Sequence, residues 1–425
     1  MPRFLITTWP FPGHVYPQMA IAQALRRRGH EVAFYTGRSA EEVVRSEGFR
    51  YYPFTFPEEP IYARLFRPDR GSFEWRGMLR LQATVCEWLL GTLGEQANDI
   101  EAILETWPAD ALVCDPSLWA PVLITYELRK IPVVLSSFVP GCMIPGPDAP
   151  PFGLGLPLPK TRAAKLASQA IAVATGISNR GFRREVDDVR SAFGLGKLGM
   201  SVSAYTGRLP LYIVPATREF DYNRHDLPPS VHYVGPFTWN RPQNAGSAAW
   251  LDQIPRDLPW VHVTEGTVHN NRPFVLQAAA EGLRDLPVRV VMTTGSDRDP
   301  GELGLGHLAP NMHIGRWVSH SELLPLTSLV VTTGGAGTVL ATLSAGLPLI
   351  SVPTDWDKPE VAQRVVESGS GLRLNPKHCT PAEIQRLVNR ILTENSFREN
   401  AQKLSASFRK TKGADGAAEL IESLV

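Results

Sequence analysis

Short apolar runs alternate with longer stretches of helical spacing along the chain. Runs rich in β-branched, leucine and aromatic residues occupy residues 3–8, 31–36, 111–114, 133–136 and 211–214. Such runs, without strict alternation of polar and apolar positions, are typical of parallel strands that are covered on both faces. Helical spacing follows at residues 17–28 and 118–128, and a further helix is predicted from Ser39. The first half of the chain is therefore predicted to form a parallel sheet between layers of helices.

The same pattern begins again in the second half. Further strand-like runs lie at residues 261–264, 288–293, 313–314, 329–332 and 349–352. Residues 238–248 are polar and aperiodic, as in a linker. We predict an α/β protein of two Rossmann-like domains that face each other across a cleft, with an N-terminal domain at 1–237 and a C-terminal domain at 249–425. Helices after residue 380 close the chain, and the last one is expected to pack back toward the N-terminal domain.

Two irregular regions interrupt this order. Residues 53–78 are rich in aromatic side chains, and residues 138–159 are rich in proline. Long loops on a rigid α/β scaffold are usually functional, and clustered rings favour a flat, apolar ligand. The alternative is that the rings only pack the loops against the core. The predicted acceptor-binding residues are Phe11, Phe54, Phe73, Trp75, Phe138 and Met143.

Charge and composition argue against several classes of protein. The 425 residues include 43 basic and 42 acidic side chains without a long basic run, which makes a nucleic-acid partner unexpected. The 4 cysteines lack metal-ligand spacing and fit reduced thiols. The N-terminal residues do not resemble a signal peptide, and no apolar run approaches the roughly 20 residues that span a bilayer. We expect a cytoplasmic protein without a membrane span.

The clearest candidate for a binding site lies at residues 329–371. A strand-like run leads into Thr333-Gly334-Gly335-Ala336-Gly337-Thr338, and helical spacing follows at 338–345. Glycines allow a tight turn that directs backbone N–H groups at an anion, and the positive end of the helix adds to the attraction. The next strand leads to Asp355, Asp357 and Lys358, at the edge of the sheet where open α/β proteins bind ligands. A nucleotide sugar fits this set of groups.

A histidine and an aspartate are the candidate acid–base residues. His14 lies in the predicted loop after the first strand, and Asp115 directly follows the strand at 111–114. An imidazole can act as a general base near neutral pH, and an aspartate bonded to its other nitrogen would fix the tautomer. Two alternatives remain open. His14 is then an ordinary loop histidine, or Asp115 caps the helix predicted at 118–128.

These residues resemble those of inverting glycosyltransferases with two Rossmann-like domains (the GT-B fold), in particular bacterial enzymes that glycosylate macrolides and other natural products. The segment Gly13-His14-Val15-Tyr16-Pro17 is similar to the family's segment after the first strand, and the resemblance covers nearly the whole chain. It implies that His14 deprotonates the acceptor hydroxyl and that Asp115 assists it. The donor-binding residues that it implies are Thr267, Trp317, Thr333, Gly334, Gly335, Ala336, Gly337, Thr338, Asp357 and Lys358.

The chain departs from the family pattern in the donor half. Thr333 stands where most relatives have a phosphate-binding histidine, so a hydroxyl replaces a group that can carry positive charge. Lys358 replaces a glutamine that contacts the sugar, and its alternative role is an ion pair with Asp355 or Glu360. Glu265 brings a carboxylate near the phosphates, which is unfavourable unless it points away or meets a cation.

The resulting hypothesis is a metal-independent, inverting hexosyltransferase that needs no cofactor. It would use a UDP- or dTDP-sugar and a hydrophobic small-molecule acceptor, as a monomer or a homodimer. One alternative is a protein of the same fold that has lost transfer activity and only binds or activates a partner, as the changes at Thr333 and Lys358 suggest. Another is a metal role for Asp355 and Asp357. A dinucleotide-dependent oxidoreductase fits less well, because Leu340 occupies the third glycine position of the G-x-G-x-x-G pattern.

Overall fold

Two parallel sheets organise the chain. A computed structural model of the protein describes residues 1–65, 88–178, 180–239, 249–267, 273–295 and 298–425. Within these residues the first sheet contains β1 (Arg3–Thr7), β2 (Glu31–Thr36), β3 (Arg50–Pro53), β4 (Ala111–Cys114), β5 (Val133–Ser136), β6 (Leu211–Val214) and β7 (Val231–Tyr233). Their order is β3-β2-β1-β4-β5-β6-β7, and all neighbouring strands are parallel.

The second sheet belongs to the C-terminal half. In the described residues it contains β8 (Trp260–Thr264), β9 (Arg289–Thr293), β10 (Met312–Gly315), β11 (Leu329–Thr332), β12 (Leu349–Ser351) and β13 (Gly371–Arg373). The order is β10-β9-β8-β11-β12-β13, again with parallel neighbours. The prediction of an α/β protein with two parallel sheets is therefore confirmed.

Helices connect the strands and cover both sheets. Numbered in chain order, they are α1 (Pro12–Arg27), α2 (Glu41–Ser46), α3 (Glu59–Leu65), α4 (Leu93–Thr106), α5 (Tyr126–Arg129), α6 (Arg162–Ser178), α7 (Arg180–Ala192), α8 (Val202–Tyr205), α9 (Phe274–Gly282), α10 (His320–Leu323), α11 (Ala336–Ser344), α12 (Lys358–Glu367), α13 (Pro381–Thr393), α14 (Asn395–Phe408) and α15 (Ala414–Glu422). Among the described residues, none of these helices has the length and apolar character that a membrane span requires.

Two sequence-based boundaries were wrong. Helix α1 begins at Pro12, within the segment predicted to be a loop. Proline suits the first position of a helix because its missing N–H has no partner there, and Pro17 removes only one further hydrogen bond. The helix predicted at 118–128 begins after Trp119, and its segment Pro121–Thr125 is π-helical before it continues as α5. Asp115 therefore does not cap a helix there.

The end of the chain returns to the first domain. Ala417, Ala418 and Ile421 of α15 are fully buried in the same apolar cluster as Phe4 and Ile6 of β1. Charged pairs line the border of this contact, including Arg28 with Glu422 at 2.6 Å and Arg27 with Asp415 at 2.7 Å. The expected return of the last helix to the N-terminal domain is confirmed.

Candidate active site

His14 lies in the first turn of α1, directly after strand β1. The register pairs Thr7 of β1 with Cys114 of β4, so the residues that follow, Thr8 and Asp115, are also neighbours. The early start of α1 then brings the His14 ring over the ends of both strands. A parallel pair of strands thus brings Asp115 next to Thr8 and His14, which lie 107 and 101 residues earlier in the chain.

The His14 ring is held through its Nδ1 atom. Nδ1 lies 3.2 Å from Oδ2 of Asp115 and 3.0 Å from Oγ of Ser117. The Ser117 hydroxyl donates its own proton to Oδ1 of Asp115 in a short hydrogen bond. Both partners of Nδ1 therefore act as acceptors, so Nδ1 carries the proton and Nε2 is left as the basic nitrogen.

Asp115 is fully buried and nevertheless ionised in this arrangement. Burial alone would raise its pKa, but the charge and hydrogen bond of His14, with hydrogen bonds from Ser117 and Thr8, outweigh burial and lower the pKa below the ordinary value. The backbone N–H groups of Trp9 and Ser117 also donate to its two oxygens, at 3.2 and 2.7 Å. A buried carboxylate with this many donors is well suited to stabilise an imidazolium.

Aromatic rings surround the other side of His14. The ring of Phe138 lies 4.0 Å from the imidazole between centroids, Phe11 lies at 5.5 Å and Trp88 at 6.3 Å. Only 12% of the His14 side chain is exposed. A hydroxyl that reaches Nε2 must therefore belong to a molecule that tolerates an apolar, aromatic surrounding.

The glycine-rich turn follows strand β11 in the C-terminal domain. Gly334 has φ +86°, and a side chain there would approach Oγ of Ser351 to 2.3 Å, so this position requires glycine. Gly335 precedes α11 without any side-chain cap. A Cβ at Gly335 or Gly337 would meet nothing within 4 Å, so both glycines face open space. The first N–H groups of α11 thus lie at an open helix terminus, the arrangement that binds phosphate.

The hydroxyl of Thr333 is already committed as a donor. It donates to the backbone carbonyl of Glu265 at 2.9 Å. The carboxylate of Glu265 is buried, accepts from the backbone of Val275 at the start of α9, and pairs with Arg298 at 2.8 Å. Burial raises the pKa of Glu265, and Arg298 opposes that shift. The carboxylate of Glu265, which the sequence places near the phosphates, is therefore paired with a cation, Arg298.

Asp357 and Lys358 lie where strand β12 leads into α12. The ammonium of Lys358 is nearly buried and donates to Oγ1 of Thr354 at 2.9 Å, with Oδ1 of Asp355 at 3.9 Å. Burial raises the pKa of Asp357, while Lys358 and, from the opposite domain, His14 lower it. Trp356, next to Asp357, contacts the ring of Trp88, which lies 6.3 Å from the His14 ring, so this acidic segment lies near the candidate base.

Comparison with known proteins identifies the family to which this chain belongs. Residues 12–106 match the glycosyltransferase family 28 N-terminal domain, and residues 281–421 match the C-terminal domain of erythromycin biosynthesis protein CIII-like proteins. The chain is 32% identical to the 4'-demethylrebeccamycin synthase of Lentzea aerocolonigenes over 100% of this chain and 99% of that protein. The chain belongs to the natural-product glycosyltransferases.

Solved structures show the same fold for this glycosyltransferase. The calicheamicin glycosyltransferase CalG4 superposes with a TM-score of 0.74 at 22% identity, covering 100% of this chain and 98% of the other. The glycosyltransferase VinC, in a complex with dTDP, superposes with a TM-score of 0.72 at 19% identity and covers 99% of both chains. Both superpositions establish the GT-B arrangement of two facing domains.

The remaining predicted donor residues of the glycosyltransferase occupy the same edge of the second sheet. Trp317 follows β10 and is half-buried, and Thr267 is exposed after β8. Ala336 is buried as the first residue of α11, and Thr338 is half-buried in its first turn. These positions keep the predicted donor-binding residues at the carboxyl ends of neighbouring parallel strands.

The predicted acceptor residues are placed at different depths. Phe11 and Phe138 contact the His14 ring, and Met143 is half-buried against the same apolar cluster. Phe54 lies deeper, 2% exposed, with its ring 5.3 Å from Trp9. Phe73 and Trp75 lie outside the described residues.

Four residues of this site were missed from the sequence. They are Thr8 and Ser117, which bond to Asp115, and the rings of Trp88 and Trp356, which lie in the cleft. The segment Asp115-Pro116-Ser117 does carry a signal, because an aspartate that accepts from the backbone two residues later forms an Asx turn. Nothing in the sequence around Trp88 or Trp356 indicates their contact, because the two rings meet only in the folded chain.

Across the described ranges, no group of three or more His, Cys, Asp or Glu side chains is arranged to hold a metal ion.

Proposed function

We propose that this glycosyltransferase moves a sugar from a dTDP- or UDP-linked donor to a hydroxyl of a hydrophobic natural product, with inversion at the anomeric carbon. The observation that carries the proposal is the His14 ring, which is oriented by a buried carboxylate and lies 6.3 Å from Trp88, the ring that contacts Trp356 of the donor half. His14 acts as the general base and Asp115 as its orienting partner.

The chemistry begins at Nε2 of His14. This nitrogen takes the proton of the acceptor hydroxyl as the oxygen attacks the anomeric carbon, from the face opposite to the diphosphate. The bond between that carbon and the diphosphate oxygen breaks, and the electron pair leaves with the diphosphate. Asp115 stabilises the imidazolium that forms, in the same way as an aspartate supports a histidine in hydrolases.

The leaving diphosphate meets the open N-terminus of α11. Backbone N–H groups at Gly335–Thr338 and the helix dipole stabilise its charge without reorganisation during the reaction. The Thr333 hydroxyl already donates to the backbone carbonyl of Glu265, so we propose that backbone N–H groups bind the diphosphate. The Lys358 ammonium and the Asp357 carboxylate are proposed to contact sugar hydroxyls. These groups support a reaction without a metal or another cofactor.

Two observations support the identities of the donor and the acceptor. A solved relative binds dTDP, which favours a dTDP-linked donor over a UDP-linked one. The rings of Phe11, Trp88 and Phe138 around His14 favour a flat, aromatic acceptor. We propose a cytoplasmic enzyme that acts on a dissolved small molecule.

Substitution of the base tests the mechanism. We expect His14→Ala to lower kcat for transfer by about 10²–10⁴-fold, the usual contribution of general-base catalysis, with dTDP binding retained. Transfer from dTDP-glucose and UDP-glucose to 4-methylumbelliferone and other planar phenols is the assay. His225→Ala is the matched control, because His225 is an exposed histidine of the same domain. Equal rates for His14→Ala and the wild type would refute the assignment of the base.

Ligand-induced stabilisation tests the donor site separately. A nucleoside diphosphate that binds the native state raises the melting temperature, and at equal concentration the rise is larger for the ligand with the lower Kd. We expect the rise to be largest for dTDP, smaller for UDP, and small for ADP and GDP. Absence of any rise with dTDP and UDP would contradict a nucleotide site at α11.

A further inference from the structure

Two tryptophans from opposite domains meet inside the cleft. The rings of Trp88 and Trp356 lie 5.4 Å apart between centroids at an interplanar angle of 80°, an edge-to-face contact. Trp88 belongs to the N-terminal domain, whereas Trp356 lies between Asp355 and Asp357 in the loop that leads into α12. The donor half of the molecule thus contributes an aromatic ring to the acceptor half.

The backbone of Trp356 is held in an unfavourable conformation. Its φ of +61° lies in the left-handed region, which a bulky side chain rarely adopts. Such strain persists only where the surrounding structure imposes it, and it concentrates at functional sites. The ring of Trp356 packs against an apolar cluster that contains residues of both domains, Trp9 and Trp88 among them.

Trp88 connects this contact to the candidate base. Its ring lies 6.3 Å from His14, 6.1 Å from Phe11 and 5.6 Å from Trp9. Its Nε1 atom is buried and has no hydrogen-bond partner in the described part of the chain. A buried N–H without a partner is unfavourable, so packing of the Trp88 ring at this position is not explained by a hydrogen bond within the described residues.

A second aromatic contact between the domains, Phe220 with Phe408, serves as a comparison for ordinary core packing. Phe220 and Phe408 also meet edge to face, at 6.2 Å and 89°. Their side chains are 1% and 5% exposed, and neither residue has a positive φ. Trp356 differs on both counts, because it is only partly buried and is strained. Its position is therefore poorly explained by core packing alone.

We propose that Trp356 is a specificity-determining residue that completes the acceptor pocket from the donor domain, an inference that rests on the function proposed above. The acceptor packs beside the Trp88–Trp356 contact, with Phe11 and Phe138 contributed by the N-terminal domain and the ring of Trp356 by the donor domain. The pocket is then complete only when the two domains face each other as they do here. An aromatic acceptor can pack against this group of rings, and the donor loop, through Trp356, takes part in selecting it.

Kinetics of two Trp356 variants test the proposal. Trp356→Asn removes the ring and places a residue that tolerates a positive φ, so the fold is preserved. We expect it to raise KM for 4-methylumbelliferone by about tenfold or more, as for loss of an aromatic contact, while KM for dTDP-glucose stays within about threefold. Trp356→Phe, which keeps a ring, should stay within about threefold of the wild type for both substrates. Phe408→Leu removes the ring of the packing pair and serves as the control, with both KM values unchanged.

The outcomes separate this inference from the function on which it rests. A rise in KM for dTDP-glucose instead of the phenol would overturn the proposal and make Trp356 a sugar-binding residue. Unchanged constants in Trp356→Asn would overturn it as well, as would an equal rise in Phe408→Leu. A wild-type enzyme that transfers sugar to none of the planar phenols would contradict the proposed acceptor class itself. Melting temperatures of all variants identify any that lose activity through unfolding.

Discussion

At the scale of single residues, the site depends on which acceptor each hydroxyl proton is donated to. Asp115 and His14 were predicted from their places after strands, and the structure brings them together. The sequence could not show that the Ser117 hydroxyl donates to Asp115, or that the Thr333 hydroxyl donates to Glu265. One bond joins two side chains and the other joins a hydroxyl to a backbone carbonyl, and in both cases the partner depends on how the chain is folded. They nevertheless decide which nitrogen of His14 is basic and which donors remain for a phosphate.

The role of Ser117 can be tested by one substitution. Ser117→Ala removes an acceptor from Nδ1 of His14 and a donor from Asp115, so the ring is held less firmly. We expect kcat to fall by about tenfold, equivalent to the loss of one hydrogen bond of about 1.4 kcal/mol, with little change in donor KM. Ser117→Thr keeps the hydroxyl and should retain most of the activity. If Ser117→Ala had wild-type kcat, the tautomer of His14 would not depend on this bond.

At the scale of elements, prolines and glycines mark helix starts that periodicity alone misplaced. The apolar pattern placed the first helix after residue 16, yet α1 begins at Pro12. The same rule applies to α11, which starts two residues before its predicted first residue, Thr338. In both cases the first turn has a small or cyclic residue that costs little at a helix terminus.

Gly337 provides a test at this scale. Gly337→Ala should stabilise the fold by about 0.5 kcal/mol through helix propensity, because its Cβ meets no other atom. The added methyl group enters the open space in which a diphosphate is proposed to bind, so stabilisation by dTDP should decrease.

Gly94→Ala is a closely matched control. Gly94 is also the second residue of a helix, α4, and a Cβ there also meets nothing within 4 Å. We therefore expect a similar gain in melting temperature without ligand and full stabilisation by dTDP. Equal responses of the two variants to dTDP would argue against a phosphate site at α11.

At the scale of the whole molecule, one buried guanidinium joins the domains. Arg364 of α12 lies 2.8 Å from Asp221 in the N-terminal domain and 2.8 Å from Glu360 of its own helix. Asp221 also accepts from the backbone of Cys142, and Glu360 accepts from the backbone of Gly153 and Gly155. The proline-rich loop that carries Phe138 and the helix that follows Asp357 are thus fixed by the same group of charges.

Removal of this guanidinium should be costly. Arg364→Met leaves two buried carboxylates without their cation, and we expect it to lower the free energy of unfolding by about 3–5 kcal/mol. Lys160→Met is the control from the same interface, because Lys160 is exposed and pairs with Glu367 at 2.8 Å, so its loss should cost less than about 1 kcal/mol. Urea denaturation of both variants measures the difference. Similar costs for the two would show that the buried charges do not hold the domains together.

The sequence by itself determined the two parallel sheets and most strand positions. It also predicted the pairing of His14 with Asp115. These features depend on local spacing, since buried parallel strands require compact apolar runs and their carboxyl ends carry the polar residues. The tertiary structure alone decided the contact of Trp88 with Trp356 and the pairing of Asp221 with Arg364, 143 residues apart in the chain. Such contacts arise from the packing of one domain on the other, which local spacing does not encode.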